Sequence, residues 1–517
     1  MTSNAERRVA RCRAHARRAA PLLALLALAA SCAPGARAAA PQQQGWIALS
    51  VSANSTFLPP LRRLLLRRLD GKGAPVAALE RVAPDHGQDT ALFAGALPAG
   101  EYALVGLQDG AGVLRVALAD NALNRLGTLR VAPRQPADLG RLVLTAMNER
   151  TVFGRSAHAL SNLALLRRLA PALAPRFAPA LAPRRAGDAA SGWSAPRPAT
   201  DNVEDYALVR PVGARCPSML ADGRLVVASG LGSVLQRSPQ GHWRVLHAST
   251  IESLNCLLAL DWPDTTLVAV GAHGSFQRLP AGAATLLPAD PGDLPPGDLL
   301  SIGGSAAAGW YLLHRNGARL TIYHSAALFG GHWQALHVDQ EGAQAQPWTW
   351  RSATGMGYAR ASGAIVQLDF ASGVCITRMA PERLAGIAAR PDGGLAALGE
   401  RSGNAYLAGA GAHDWQTLAA PPAALRGPPQ ASATALLAAA GGMLYTSADQ
   451  GGHWQQLGQF ADDSSLLAVP GGPLLEVHAG RSGLFYLRAS GDGGATWRTE
   501  YSNFDRQALE DEGNGAK

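Results

Sequence analysis

The chain has 517 residues, of which 47% are apolar and 16% charged, and carries a formal net charge of +8. A length of this kind calls for more than one folded unit. Six Arg against one Glu in residues 1–31 supply +5 of that charge, so the remainder is only +3, scattered and almost all Arg, which argues against nucleic acid as a partner; the apolar fraction comes from dispersed Ala and does not signal a membrane-embedded protein.

Residues 1–31 read as an export signal. An Arg-rich start precedes the apolar run Pro21–Ala30, whose ten residues fall short of the about 20 that a spanning helix needs. Two processing outcomes compete. Leu28-Ala-Ala-Ser31-Cys32 resembles the bacterial lipobox, which implies lipid attachment at Cys32 and a membrane anchored through it. Ala36-Arg-Ala38 offers an ordinary small-x-small cleavage site. The first is preferred, although Ala29 stands where that pattern usually has Leu.

Residues 44–146 are expected to form a β-sandwich. Trp46–Val51, Leu114–Leu118 and Gly140–Leu144 alternate with the period-2 pattern of half-buried strands, and Asp70-Gly-Lys-Gly73 signals a hairpin. Residues 147–204 are expected to be a helix and a disordered linker. Ala157–Leu169 carries Leu at helical spacing and should pack on one of the two domains. Pro171, Pro175, Pro179 and Pro183 then lead into an Ala/Gly/Ser/Pro run to Thr200, too poor in apolar residues to order itself, so the segment should be a semi-extended tether.

Residues 205–504 repeat. Gly-His-Trp recurs at 241–243, 331–333 and 452–454, His413-Asp-Trp415 is a variant copy, and a Leu stands three residues after each of these Trp. The anchors Trp243, Trp333, Trp415, Trp454 and Trp497 are 90, 82, 39 and 43 residues apart. Degenerate copies are therefore expected near 287 and 375, giving a mean period of about 42, the length of a four-stranded propeller blade. The expected fold is all-β, a seven-bladed β-propeller with six blades as the fallback, because the segment from Ala431 to Trp454 is short. Tyr206–Val209 is expected to supply a strand that closes the last blade. Residues 505–517 read as a disordered tail.

Ser490-Gly-Asp492-Gly-Gly494-Ala-Thr496-Trp497 and the looser Ser447-Ala-Asp449-Gln-Gly451-Gly-His453-Trp454 resemble the Asp-box repeat of bacterial neuraminidases. The resemblance implies a propeller in which the box is a structural turn: Asp accepts hydrogen bonds from turn amides, and Trp is buried inside its blade. Leu97-Pro-Ala-Gly100-Glu-Tyr102 likewise resembles a step in exported sandwiches of the prealbumin or carboxypeptidase-regulatory type, and implies that Tyr102 returns to the core.

Chemistry is harder to find. Arg215-Cys-Pro217 resembles the Arg-Ile-Pro that opens a sialidase propeller, which would make Arg215 a carboxylate-binding residue. Arg319, Arg360 and Tyr501 can be nominated beside it, but no surrounding motif supports them. Paired carboxylates of the kind glycosidases use are not identifiable. His242, His332, His413 and His453 belong to different blades and cannot share one metal, so neither a metal nor a cofactor is expected. Cys216, Cys256 and Cys375 fit no zinc or redox spacing. Cys216 and Cys256 are one repeat apart and could face each other from adjacent inner strands, with two buried thiols expected; Cys375 takes a degenerate anchor slot. The pattern of degenerate boxes also resembles the photosystem II assembly factor-like propellers, which are binding scaffolds. The reading reached is an exported, lipid-anchored, monomeric scaffold that binds an envelope protein or glycan; the alternative is a secreted carbohydrate-active hydrolase.

Overall fold

The computed structural model describes residues 43–503, apart from 55–60, 70–75, 84–88, 119–125, 148–149, 158–161, 178–191, 195–200, 211–214, 249–251, 341–346, 433–434, 463, 470–471 and 481–483. The signal segment, Cys32 and the C-terminal tail lie outside the described residues.

The first domain is built from β1 (Gln44–Asn54), β2 (Leu61–Arg68), β3 (Ala77–Val82), β4 (Thr90–Pro98), β5 (Gly100–Asp109), β6 (Leu114–Ala117), β7 (Leu129–Val131), β8 (Pro136–Met147) and β9 (Arg150–Arg155). They pair in the order β6-β5-β2-β3-β4-β1-β8-β9, with β7 on the free part of β5. This path folds back on itself. Ile47, Leu49 and Phe93 of one half face Leu64, Leu66 and Leu107 of the other, all 0–1% exposed. Pro98 and Gly100 turn the chain so that Tyr102 enters the same core, and its hydroxyl donates to the Pro98 carbonyl. Gly100 has φ +156°, a backbone conformation few other residues adopt.

In the 147–204 segment a helix is present where one was expected, and most of the expected tether, 178–191 and 195–200, lies outside the described residues. Strand β9 prolongs the sandwich to Arg155. Helices α1 (Leu163–Leu169) and α2 (Ala174–Phe177) press Leu165, Leu166 and Phe177 against Ala48 and Leu92 on the outer face of the sandwich. Trp193, in the middle of the low-complexity run, is 7% exposed: it joins the sandwich core, and its indole N–H donates to the Leu139 carbonyl. One aromatic at the right distance suffices to dock a chain that composition alone reads as unable to order.

Residues 203–208 also differ from expectation. Val203–Leu208 is a helix, α3, so Tyr206–Val209 is not a closing strand. Ala207 and Leu208 pack with Val143 of β8 and Leu231 of the propeller, and Arg210 Nη2 donates to the Gly480 carbonyl. The segment is a wedge between the domains.

From Arg215 onward the chain forms a β-propeller. Its strands follow one another in antiparallel runs of four, each read from inner to outer strand, and the first two runs are joined into one eight-stranded sheet by a short parallel pairing of Trp243–Ala248 with Thr285–Pro288. The inner strands are Arg215–Met219, Leu254–Ala259, Asp298–Ser305, Trp348–Arg351, Leu384–Ala389, Gln430–Ala431 and Ser464–Ala468. The outer strands are Trp243–Ala248, Thr285–Pro288, Gln334–Asp339, Cys375–Met379, Gln416–Thr417, Gln455–Gln459 and Arg498–Ser502. Each anchor Trp stands at or just before the start of an outer strand, and the slots expected near 287 and 375 fall on the outer strands of the second and fourth units. The segment noted as short before Trp454 contains a two-residue inner strand.

Apolar clusters lie between every unit and the next, and one joins the last to the first through Leu225, Leu235 and Trp243 against Leu475, Phe485 and Tyr501. Such burial is what stacking units need, since none can cover both faces alone. The anchors serve these seams rather than the interior of one blade. The indole N–H of Trp333 reaches Pro291, that of Trp415 reaches Met379 and that of Trp454 reaches Ala419, each a carbonyl at or just beyond the preceding unit's outer strand. Trp243 reaches the Glu500 carboxylate of the last unit. Trp243 and Trp333 are buried, whereas Trp454 and Trp497 are partly buried. Their position at the rim, beside an exposed turn, explains the difference.

The ring closes on Glu500. Its side chain, 3% exposed, takes two bonds from Arg237 of the first unit at 2.7 and 2.9 Å, one from Trp243 at 3.0 Å, and one from Arg498 at 2.8 Å. The two domains are also joined directly by buried charge. Arg141 of β8 donates to Glu252 at 2.9 Å, and His273 Nδ1 lies 2.8 Å from the other Glu252 oxygen. Arg141 and His273 hold the Glu252 carboxyl well below the usual range despite its burial, which acts the other way.

Candidate functional site

A cavity of about 900 Å³ runs through the middle of the propeller and draws its wall from all seven inner strands or the residues flanking them. Apolar walls come from Met219, Leu258, Trp348, Trp350, Phe370 and Leu467. Gly303 lets Phe370 close up against the third inner strand: a Cβ there would stand 2.3 Å from the ring. Of the described lining residues only Arg215 and Arg351 are charged, and none is acidic.

Both guanidinium groups are placed by the first inner strand. A bulge between Arg215 and Ser218 interrupts its ladder, and Cys216 inside it has φ +47°. Arg351, from the fourth inner strand, crosses to the bulge and gives Nη2 to the Pro217 carbonyl at 3.2 Å and to Ser218 Oγ at 2.8 Å. Both acceptors are neutral. Burial pushes the Arg351 guanidinium down to about 10, so it remains a cation at neutral pH. Arg215 gives Nη1 to Asn255 Oδ1 at 3.2 Å, and Asn255 is itself oriented by donating to the Leu299 carbonyl at 2.9 Å. Neither Arg has an acidic partner in the described structure.

Cys216 and Cys256 form a disulfide between the first and second inner strands, with Cα atoms 4.9 Å apart, which corrects the expectation of two thiols. The facing geometry was foreseen; spacing alone did not show that the bulge turns Cys216 toward its partner. Cys375 is free and half-buried, and burial pushes its thiol up to about 11.

The residues nominated beside Arg215 do not meet it. Arg360 is paired with Asp339 at 2.7 Å, Arg319 begins a strand in the third unit, and Tyr501 is in the last outer strand, where it donates to the Val209 carbonyl. The residue that sequence reasoning missed is Arg351. A single Arg in Trp-Thr-Trp-Arg351 matches no motif, and only its place on an inner strand marks it.

The Ser-x-Asp turns lie at the rim, away from this wall. Ser490 Oγ donates to Asp492 at 2.8 Å and accepts from the Gly494 amide at 2.8 Å; Thr496 gives its amide at 2.9 Å and its hydroxyl at 2.6 Å to Asp492. These donors, the Thr496 hydroxyl first, hold Asp492 down to about 2. Ser447, Asp449 and Gly451 repeat the arrangement, with His453 in the Thr position giving its amide and ring Nδ1, which keeps the Asp449 carboxyl well below the usual range. His242, His332 and His413 stand at other exposed turns. Among the described residues there is no cluster of metal ligands, and no helix is long and apolar enough to cross a membrane.

No protein-family model matches the chain, and no curated protein matches it in sequence. Solved structures do resemble it. Selenomethionine-substituted virginiamycin B lyase from Staphylococcus aureus aligns at 11% identity and TM-score 0.40, covering 51% of this chain and 91% of that one. YCF48 from Cyanidioschyzon merolae aligns at 13% and 0.41, covering 52% and 93%, and YCF48 bound to a D1 peptide at 15% and 0.35, covering 47% and 83%. Likeness of this degree concerns fold alone. The propeller is established by its sheet topology and by the apolar seams between its units.

Proposed function

We propose that this chain is a non-enzymatic binding scaffold whose propeller takes a protein partner at the mouth of its central cavity. The observation that carries the reading is the wall itself, apolar and neutral polar side chains with two cations and no carboxylate among its described residues. Most glycosidases work with two carboxyl groups across the scissile bond and sialidases with a Tyr nucleophile; the described wall has neither a carboxylate nor a Tyr, so binding is favoured over the hydrolase alternative. We adopt seven as the blade count. The two Ser-x-Asp turns are read as Asp-boxes, structural and not catalytic, and the first domain as a sandwich of the prealbumin type. Residues 1–31 are read as an export signal, with Cys32 as the lipid-bearing residue and the cell envelope as the place of work.

Two experiments test this reading. A panel of fluorogenic glycosides, sialosides included, should show no turnover; turnover abolished by Arg215→Ala would sink it. Cys32→Ala should release the protein from the membrane fraction, because each buried acyl methylene is worth about 0.8 kcal/mol and several chains make anchoring stable. A mature N-terminus at Ala39 would refute lipid attachment.

A further inference from the structure

The cavity is not a neutral hydrophobic hole. It holds two guanidinium groups, one on each of two inner strands that Arg351 bridges, and no counter-charge. Burying a cation costs free energy unless an anion or several acceptors compensate it. Here the compensation is thin: Arg351 commits one nitrogen to two neutral oxygens, and Arg215 commits one to an amide oxygen. Each fork keeps further N–H donors with no protein acceptor in the described structure, in a site whose remaining wall mixes aromatic and aliphatic side chains with neutral polar ones such as Ser301, Thr349 and Gln430.

From this geometry we infer that the cavity binds a peptide segment through a carboxylate, held by Arg351 and Arg215, with a neighbouring apolar side chain against Trp348 and Phe370. The inference rests on the scaffold reading and names the chemistry of its partner. A guanidinium fork suits a carboxylate because two parallel N–H···O bonds can form, and removing water from around them strengthens both. Asn255 positions Arg215 by fixing its Nη1, while the Pro217 carbonyl and Ser218 hydroxyl hold Arg351 ready at the bulge. The carboxylate has two possible sources, an Asp or Glu side chain within the segment or the free end of a chain.

Isothermal titration of the full chain distinguishes them. The probes are acetyl-Leu-Leu-Asp amide, acetyl-Ala-Leu-Leu free acid and acetyl-Leu-Leu-Asn amide. One or both acids should bind with a dissociation constant on the order of 1 mM or tighter, and the Asn peptide should not. Binding should weaken as salt rises. Arg351→Gln should weaken it about tenfold or more, the loss expected when one charge-assisted contact is removed. Because Arg351 also tethers the bulge, Arg215→Gln is the second variant: its one side-chain hydrogen bond among the described residues is to Asn255, and the same direction of change is expected. Equal affinity for the Asn and Asp peptides, no binding by either acid, or unchanged binding in both folded variants would overturn the inference. A partner captured by the propeller but not displaced by either acid would overturn it while leaving the scaffold reading in place.

Discussion

Glu500 is the residue on which ring closure depends. Its carboxylate receives Arg237 and Trp243 from the first unit while belonging to the last, and its side chain is 3% exposed against 14% for Arg237. Glu500→Ala leaves two Arg237 nitrogens and the Trp243 indole without acceptors at a seam that water barely reaches. Removing one partner of a buried pair costs roughly 3–5 kcal/mol. Because Arg237 retains a long contact to the Ser238 carbonyl and some exposure, the lower half of that range, roughly 3–4 kcal/mol, is expected. For a domain of this size that lowers the melting temperature by on the order of 10 °C. Urea unfolding followed by tryptophan fluorescence and far-ultraviolet circular dichroism gives the free energy. Arg237→Met, alone and with Glu500→Met, completes a double-mutant cycle: the double variant should be less destabilised than the sum of the singles, because neither charge is then stranded. A Glu500→Ala cost below about 1 kcal/mol, as for an exposed ion pair, would refute closure through this clasp.

Three other outcomes are expected. Trp243→Ala should cost roughly 3–5 kcal/mol as a buried aromatic, and Trp497→Ala less because it is only partly buried; equal costs in urea unfolding would contradict the seam account. Asp492 has a folded value of about 2 against an ordinary 3.8, so its contribution is complete above about pH 4 and is lost as pH falls toward 2; protection of the Thr496 amide, measured against its intrinsic exchange rate at each pH, should fall over that window in the parent and show no such step in Asp492→Asn. Arg141→Met removes the contact from the first domain to Glu252 and leaves it only His273 of the propeller, so thermal unfolding should separate into two transitions; a single unchanged transition would mean the domains are not coupled there.

Much of the architecture can be read in the chain because a propeller repeats its physical problem. Each unit needs an outer-strand start and a seam contact, so Trp recurs at 243, 333, 415, 454 and 497, and the gaps announce the slots filled by Thr285 and Cys375. Closure does not repeat, and so it has no periodic signal. Glu500, Arg237 and the helix at Val203–Leu208 are ordinary residues until the last unit meets the first. The docking of Trp193 and the pair of Arg141 with Glu252 were hidden for the same reason, since partners 54 and 111 residues apart leave no local pattern. At the cavity, Arg215 stands out through its Pro217 context, while Arg351 depends on a register only the folded ring reveals. Trp454 and Trp497 lie nearer water than Trp243 and Trp333, beside turns rich in Asp and Gly.

Site-specific photo-crosslinking tests the central claim, that the propeller works by binding at its cavity. A benzophenone amino acid at Thr349, exposed on the cavity wall, is compared with one at Met379, which is 59% exposed on an outer strand. In intact cells the account predicts one discrete protein adduct from position 349 and none from position 379. No adduct at 349, or the same adducts from both positions, would contradict it.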